Sequence, residues 1–381
     1  MESSPFPLLF SFDYPPNDGG ISRLCGEIVT AWNRRGTGVH VLAQRMGARV
    51  GATPVPRVPE VRVAANRPWR EFNAFQVLRR TGTGNLVVSG IWYPEGLLAL
   101  LAGARPLVIL AHGSELMPTR ERWRRRIWRE LLRYVCESAD LIVANSEYTR
   151  RLVLRVAPRA RVAAVPLGVD HLRFTPGNRS LAKKRFAISQ ELVISSVSRV
   201  HAYKGHDIVL QALASIPEPI RRQIVYIVAG VGPDLAALHT RASKLDVMEQ
   251  VRFLGFVPEQ DLPDLYRASD LFLLCTRETA HDQEVEGFGM AFLEAQACGT
   301  PVVGTRTGGI PDAIREGDGG WLIDQDDVDA LGSILLKLAD NPDEFREAGL
   351  MARRRVEREC TWNHYMQQFR AVLATEGIHL G

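Results

Sequence analysis

The chain has 381 residues, 46% of them hydrophobic and 24% charged, with a formal net charge of +4. That length exceeds one ordinary core and suits two domains, while the balance of apolar and charged residues excludes a disordered or fibrous chain. The small positive excess does not point to nucleic acid, and no apolar run approaches the ~18 residues of a spanning helix.

The N-terminal MESSPFPLLFSFDYPP has no basic leader region and no small-residue cleavage site, so it does not read as a signal peptide. A cytoplasmic protein is expected, with any membrane contact peripheral. Five cysteines (Cys25, Cys136, Cys275, Cys298 and Cys360) lie scattered without a CxxC pair and read as reduced core residues, not zinc ligands or disulfides.

PLLFSF (7–12) reads as the first strand, then a Gly-rich loop and a helix with Ile21, Leu24, Ile28, Val29 and Trp32 on one face. Strand-like runs follow at 39–43, 61–65, 85–90, 106–113, 140–146 and 161–166. Their apolar residues are continuous, not alternating, which predicts an α/β fold with a parallel sheet buried on both faces. The rhythm breaks at 171–190, rich in Pro, Gly, Asn and charge, and this stretch is expected to be a linker. It restarts with strands at 192–199, 223–232, 251–256, 270–276, 301–306 and 320–324, and ends in helical patterns over 327–340, 343–359 and 362–376. Two Rossmann-like domains are expected, at 1–170 and 191–361, with the last helix of 362–381 crossing back to the first. A ligand in such a pair belongs at the C-terminal ends of the strands, between the halves.

Several segments carry residues suited to chemistry. In DYPPNDGGISR (13–23), Gly19 and Gly20 precede a helix and allow close backbone approach to an anion, or form a plain tight turn. TRERWRRRIWRELLRYV (119–135) has seven arginines against two glutamates, and a stripe of Trp123, Ile127, Trp128, Leu131, Leu132 and Val135. Such a helix fits an anionic membrane surface, and equally a domain helix with a solvated basic face. In SRVHAYKGHD (198–207), Arg199 and Lys204 occupy a strand-to-helix loop, where they are either solvated cations or a clamp for a diphosphate. VAGVGPD (228–234) adds Gly230 and Gly232 at the same sheet edge.

The stretch EVEGFGMAFLEAQACG (284–299) predicts a helix starting near Gly289, with Glu286 just before it and Glu294 inside it. Its apolar neighbours make this helix mostly buried, and a buried carboxylate needs a partner; vicinal hydroxyls of sugars are suitable ones. Asp324-Gln325-Asp326 is formally a metal-binding DxD, but it opens a helical pattern, so Asp326 or Asp327 is expected to be a helix cap.

Taken together, Glu286-(seven residues)-Glu294, the Gly19-Gly20 loop, AHGSE around His112, ANSEYTR around Ser146, the Arg199 and Lys204-Gly205 pair and RFLGFVPEQDLPDLYRASD (252–270) resemble the retaining GT-B glycosyltransferases of family 4 over essentially the whole chain. The EGFG stretch especially resembles the mannosyltransferases that build phosphatidylinositol mannosides. The resemblance implies two Rossmann-like domains facing each other across a cleft and a nucleotide-diphosphate sugar, such as GDP-mannose or a UDP-hexose, held by the second. It implies that Arg199 and Lys204 neutralise the leaving diphosphate, Glu286 holds sugar hydroxyls and Glu294 the ribose. Backbone around Phe288, Gly289 and Met290 would touch sugar and phosphate. Gly230 belongs to the donor-side set, Val257 and its neighbours would read the base, Gly19 and Gly20 would close on the phosphates, and His112 would sit near sugar or acceptor. Neither metal nor other cofactor is expected, and no nucleic acid. The acceptor is expected to be a glycan or a lipid-linked sugar, with the protein peripheral at the inner membrane face. Rivals are the same fold with a soluble acceptor, and a nucleotide-sugar-binding or epimerase-type protein without transfer activity.

Overall fold

The computed structural model of the chain describes residues 6–17, 19–34, 36, 38–45, 58–117, 122–279 and 284–379, with backbone alone for 122–125. It divides into two compact units, one formed by 1–167 with 362–381 and the other by 168–361.

In the first unit, seven parallel strands form one sheet: β1 (Leu8–Phe10), β2 (His40–Gln44), β3 (Glu60–Val63), β4 (Thr83–Ser89), β5 (Arg105–Ala111), β6 (Leu141–Ala144) and β7 (Val162–Ala164). Their order is β3-β2-β1-β4-β5-β6-β7, so the winding reverses between β1 and β4. The central strands are apolar at successive positions and buried on both faces, as Leu8, Leu9, Phe10, Val87 and Val88 illustrate. At the reversal, Gly90 allows the strand ends to converge, because a Cβ there would stand 2.4 Å from the Ser11 hydroxyl oxygen.

The helix Gly20–Arg34 buries Leu24, Ile28, Val29 and Trp32. The last helix, Trp362–Thr375, packs on it, with the Phe369 ring 6.2 Å from that of Trp32. The basic helix Arg122–Ser138 lays Leu132, Val135 and Cys136 into the core. Its Trp128 ring packs edgewise on Trp92 and Tyr93, 4.8 and 4.7 Å away. The expected apolar stripe is narrower than the sequence suggested: Ile127 is 66% exposed, since a residue adjacent to Trp128 is turned about 100° away from it. The side chain of Trp123 lies outside the described residues.

The second unit has six parallel strands: β8 (Leu192–Val197), β9 (Ile224–Ala229), β10 (Val251–Gly255), β11 (Leu271–Leu274), β12 (Val302–Thr305) and β13 (Gly320–Ile323). Their order β10-β9-β8-β11-β12-β13 reverses between β8 and β11, where the loops after those strands diverge. Residues 171–190, expected to link the halves, instead belong to this unit. The Asn178 side chain accepts from the Leu181 amide and starts the helix Arg179–Arg185. Ala182 and Ile188 are then buried with Val193 and Leu265. The Pro-Gly-Asn that looked like a linker is a turn with a helix cap, and the apolar residues behind it have a core to enter. Within this unit, the two ends of its chain meet, the Val169 amide donating to the Cys360 carbonyl at 2.9 Å. No helix among the described residues is long and apolar enough to cross a membrane.

Candidate active site

β8 ends at Val197, and one short turn, Ala202–Lys204, precedes the helix His206–Ser215. Gly205 joins them at φ 70°, and its Cβ position would lie 1.8 Å from the Cys275 carbonyl oxygen, so only glycine lets this turn settle on the end of β11. Lys204 is thereby 9% exposed, with Nζ donating to Glu286 Oε2 at 2.5 Å and lying 4.8 Å above the Tyr203 ring. Burial alone would lower its pKa; the Glu286 and Tyr203 interactions outweigh that and raise it, so the ammonium stays charged. The Arg199 side chain is exposed, and none of the described residues pairs with it.

Beneath this loop runs a buried relay. His206 Nε2 lies 3.0 Å from Ser198 Oγ and Nδ1 lies 2.8 Å from the Tyr226 hydroxyl. That hydroxyl is 2.9 Å from Ser196 Oγ, which donates to the Leu273 carbonyl at 2.6 Å. With Ser196 committed as donor to Leu273, Tyr226 donates to Ser196, and Ser198 Oγ also donates to the Arg199 carbonyl at 3.1 Å. Burial pushes the His206 pKa down to about 4, so the ring is neutral.

Glu286 is placed from its backbone. The Gly309 amide donates to its carbonyl at 2.8 Å, and a Cβ on Gly308 would stand 2.3 Å from the same oxygen. Gly289 at φ 93° then starts the helix Met290–Ala297, the Phe292 amide turning back to the Gly289 carbonyl at 3.0 Å while the amides of Met290 and Ala291 precede the helical ladder. Phe288 and Phe292 are buried, Met290 half-buried. Glu294, 4% exposed, accepts from the Tyr266 hydroxyl at 2.8 Å. The second unit therefore brings Lys204, Glu286 and a helix N-terminus together at the end of β11, with Glu294 held within that helix.

Gly230 and Val257 have packing reasons of their own. A Cβ on Gly230 would stand 1.8 Å from the Ser198 carbonyl, and its amide donates to Gly255 at 2.7 Å, so the ends of β8, β9 and β10 draw together. Val257 packs against the core around Val193, leaving Phe256 69% exposed beside it. Of the DxD, Asp327 accepts from the Ala330 amide at 2.8 Å as a helix cap, and Asp326 pairs with Arg277 at 2.5 Å. The Asp324 side chain is 80% exposed and, among the described residues, lies 3.7 Å from Arg306.

Residues 18–173 match the family model described as Glycosyltransferase Family 4, and residues 178–355 match Glycosyl transferases group 1. A GDP-mannose-dependent alpha-(1-6)-phosphatidylinositol monomannoside mannosyltransferase of Mycolicibacterium smegmatis is 31% identical over 91% of this chain and 92% of its own length. The chain belongs to glycosyltransferase family 4. A GDP-mannose-dependent monoacylated alpha-(1-6)-phosphatidylinositol monomannoside mannosyltransferase of Corynebacterium glutamicum is 27% identical to this glycosyltransferase, over 99% of this chain and 100% of the relative. Among solved structures, Anabaena HepE in complex with UDP-glucose superposes with a TM-score of 0.77 at 20% identity, covering 97% of this chain and 99% of that one. The shared fold is GT-B.

In the first unit of this glycosyltransferase, Gly20 opens its helix and Gly19, at φ 142°, would place a Cβ 3.8 Å from Asp13 Oδ2. His112 stands at the end of β5. Its Nε2 lies 2.7 Å from the Gly90 carbonyl, which only accepts, so Nε2 carries the proton. Its amide donates to Glu115 Oε1 at 2.5 Å and its carbonyl accepts from Asn145 at 3.0 Å. Two acids nearby were missed from the sequence. Burial raises the Asp13 pKa, against the opposing pull of Asn17 and His112. Glu95, 2% exposed in the helical turn Trp92–Gly96 after β4, accepts from the Phe12 amide at 3.1 Å, and burial pushes its pKa up to about 7. The signal for Glu95 was a lone acid in the apolar run GIWYPEGLLALL.

Proposed function

We propose that this glycosyltransferase moves mannose from GDP-mannose to a phosphatidylinositol mannoside or a related lipid-linked glycan, retaining the anomeric configuration and without a metal. The observation that carries the choice of substrates is the end-to-end match to two mannosyltransferases so named. The site geometry supports the chemistry. As the sugar–phosphate bond breaks, negative charge grows on the diphosphate, and Lys204, Arg199 and the amides at Met290 are the positive groups assigned to meet it. Lys204 would exchange Glu286 for phosphate, freeing the carboxylate to accept from mannose hydroxyls. Glu294, oriented by Tyr266, is assigned to the ribose. In this reading the departing phosphate oxygen takes the acceptor's proton and attack comes from the same face. Gly19 and Gly20 are assigned to close on the phosphates, and His112 to the sugar or acceptor side.

The acceptor class also gives the basic helix Arg122–Ser138 a role. Leu132, Val135 and Cys136 are committed to the core, while Arg126, Arg129, Ile127 and Tyr134 stay exposed, a pattern suited to an anionic leaflet at the cytoplasmic face. A thermal-shift panel of GDP- and UDP-sugars tests the donor, because a ligand at 100 times its dissociation constant stabilises by about 2.7 kcal/mol. GDP-mannose is expected to raise the Tm, and a panel in which only UDP-sugars do so overturns that choice. NMR of the product reads the anomeric centre, and an inverted one overturns the mechanism.

A further inference from the structure

Arg277, just past β11, spans the turn that carries Lys204. Its Nη1 and Nη2 donate to Asp207 Oδ1 and Oδ2 at 2.8 and 2.9 Å. Nη1 also reaches the Ala202 carbonyl at 2.9 Å, and Nε reaches Asp326 Oδ1 at 2.5 Å. Its own backbone amide donates to the Tyr203 carbonyl at 2.6 Å. Ala202 and Tyr203 lead into Lys204, and Asp207 lies in the first turn of the helix behind it, so one residue grips the turn before and after that lysine.

Beyond this grip, the turn's first amide, Ala202, donates to Asp234 Oδ2 at 2.9 Å, and Arg277 alone holds both its carbonyl side and the helix behind it among the described residues. The turn is a single three-residue one without a side-chain cap, closed by the Lys204 amide on His201 at 2.9 Å and the Gly205 amide on Ala202 at 3.2 Å. A forked guanidinium–carboxylate pair fixes direction as well as distance, which a lysine cannot do. Hydrogen bonds to Asp207 raise the Arg277 pKa, so its guanidinium stays charged.

We infer that Arg277 is a positioning residue, which sets the Lys204 ammonium opposite Glu286 without touching substrate. This rests on the assignment of Lys204 to the diphosphate. Displacing a catalytic group by ~1 Å costs on the order of 10²-fold in rate, so loosening one side of the turn is expected to cost tenfold or more.

The test is a double-mutant cycle of Arg277→Lys with Lys204→Ala, read by kcat and KM for transfer from GDP-mannose to phosphatidylinositol monomannoside and by calorimetry with GDP and UDP. With Lys204 present, Arg277→Lys is expected to lower kcat about tenfold or more and weaken nucleoside diphosphate binding. With Lys204 absent, the same change is expected to cost under about threefold, since its route of action is gone. An equal loss in both backgrounds, or no loss in either, overturns the inference. Should Arg277→Lys fold poorly, Asp207→Asn leaves the arginine in place, loosens the same clamp and supports the same cycle. A wild-type chain that binds neither GDP nor UDP overturns the donor assignment and this inference together. Nucleotide binding that Arg277→Lys leaves unchanged overturns this inference alone.

Discussion

A lysine with a tenth of its surface exposed keeps its charge only while something nearby is negative, and at Lys204 that something is Glu286, 2.5 Å away. Removing the acid takes away the main opposition to burial and leaves only Tyr203, so Glu286→Gln is expected to lower the lysine's pKa. The pH profile of kcat/KM, which reports the free enzyme, should then lose its alkaline side at lower pH than in the wild type. Lys204→Ala is expected to reduce kcat on the order of 10²–10³-fold. A Glu286→Gln profile that keeps its wild-type alkaline limb would break the coupling between the two. Glu95 makes an opposite kind of statement. Its folded pKa of about 7 stands above the unfolded value near 4.5, so the folded state holds a proton that the unfolded state has lost between those pH values. Stability therefore falls as pH rises from about 4.5 to about 7 and is level above, by roughly 3 kcal/mol in total. Glu95→Gln keeps an acceptor for the Phe12 amide, and chemical denaturation across that range is expected to show a flatter profile and a more stable protein at pH 8. A variant that tracks the wild type at every pH would show that Glu95 ionises freely.

At the scale of elements, the helix Val328–Asp340 starts on Asp327, and losing that cap is expected to cost about 1 kcal/mol. Asp327→Ala should lower the Tm and leave kcat unchanged, and Asp324→Asn should change neither. Collapse of activity in Asp324→Asn, reversed by Mn²⁺ or Mg²⁺, would instead make the DQD a metal site. The cap was legible in the sequence because a helix start is a local event, and so were the strands, whose apolar runs answer to the sheet faces they fill. The helix at Met290 was legible for the same reason, down to its glycine. What stayed hidden is long in sequence separation. Tyr266 reaches Glu294 across 28 residues, Arg277 reaches Asp207 across 70, and Phe12 reaches Glu95 across 83. Glu294 and Glu95 stand out as acids in apolar surroundings, but nothing near either in the chain names the partner that meets it. The helix Arg179–Arg185 was misread for a related reason: a turn rich in Pro, Gly and Asn resembles a linker until the core that receives Ala182 and Ile188 is known.

At the scale of the whole molecule, the helix Trp362–Thr375 completes the unit that Leu8 begins, with Tyr365, Met366, Phe369 and Leu373 all buried there. Truncation after Thr361 is expected to bare Trp32 and its neighbours, lower the first unit's unfolding temperature and leave the second unit's transition in place. Differential scanning calorimetry with GDP, which should move only the second transition, distinguishes the two; a truncated chain with both transitions unmoved would make the last helix dispensable. The same arrangement sets an order of events at birth. Residues that leave the ribosome first form the sheet that is roofed last, after roughly two hundred further residues have been added. At ~5–20 residues per second that is a wait of roughly 10–40 s, during which Trp32 lacks its cover while the later unit has all it needs to fold. A newborn chain of this enzyme is thus a ready customer for a holding chaperone, and a ribosome that stalls late would release a sound second half tied to an unfinished first.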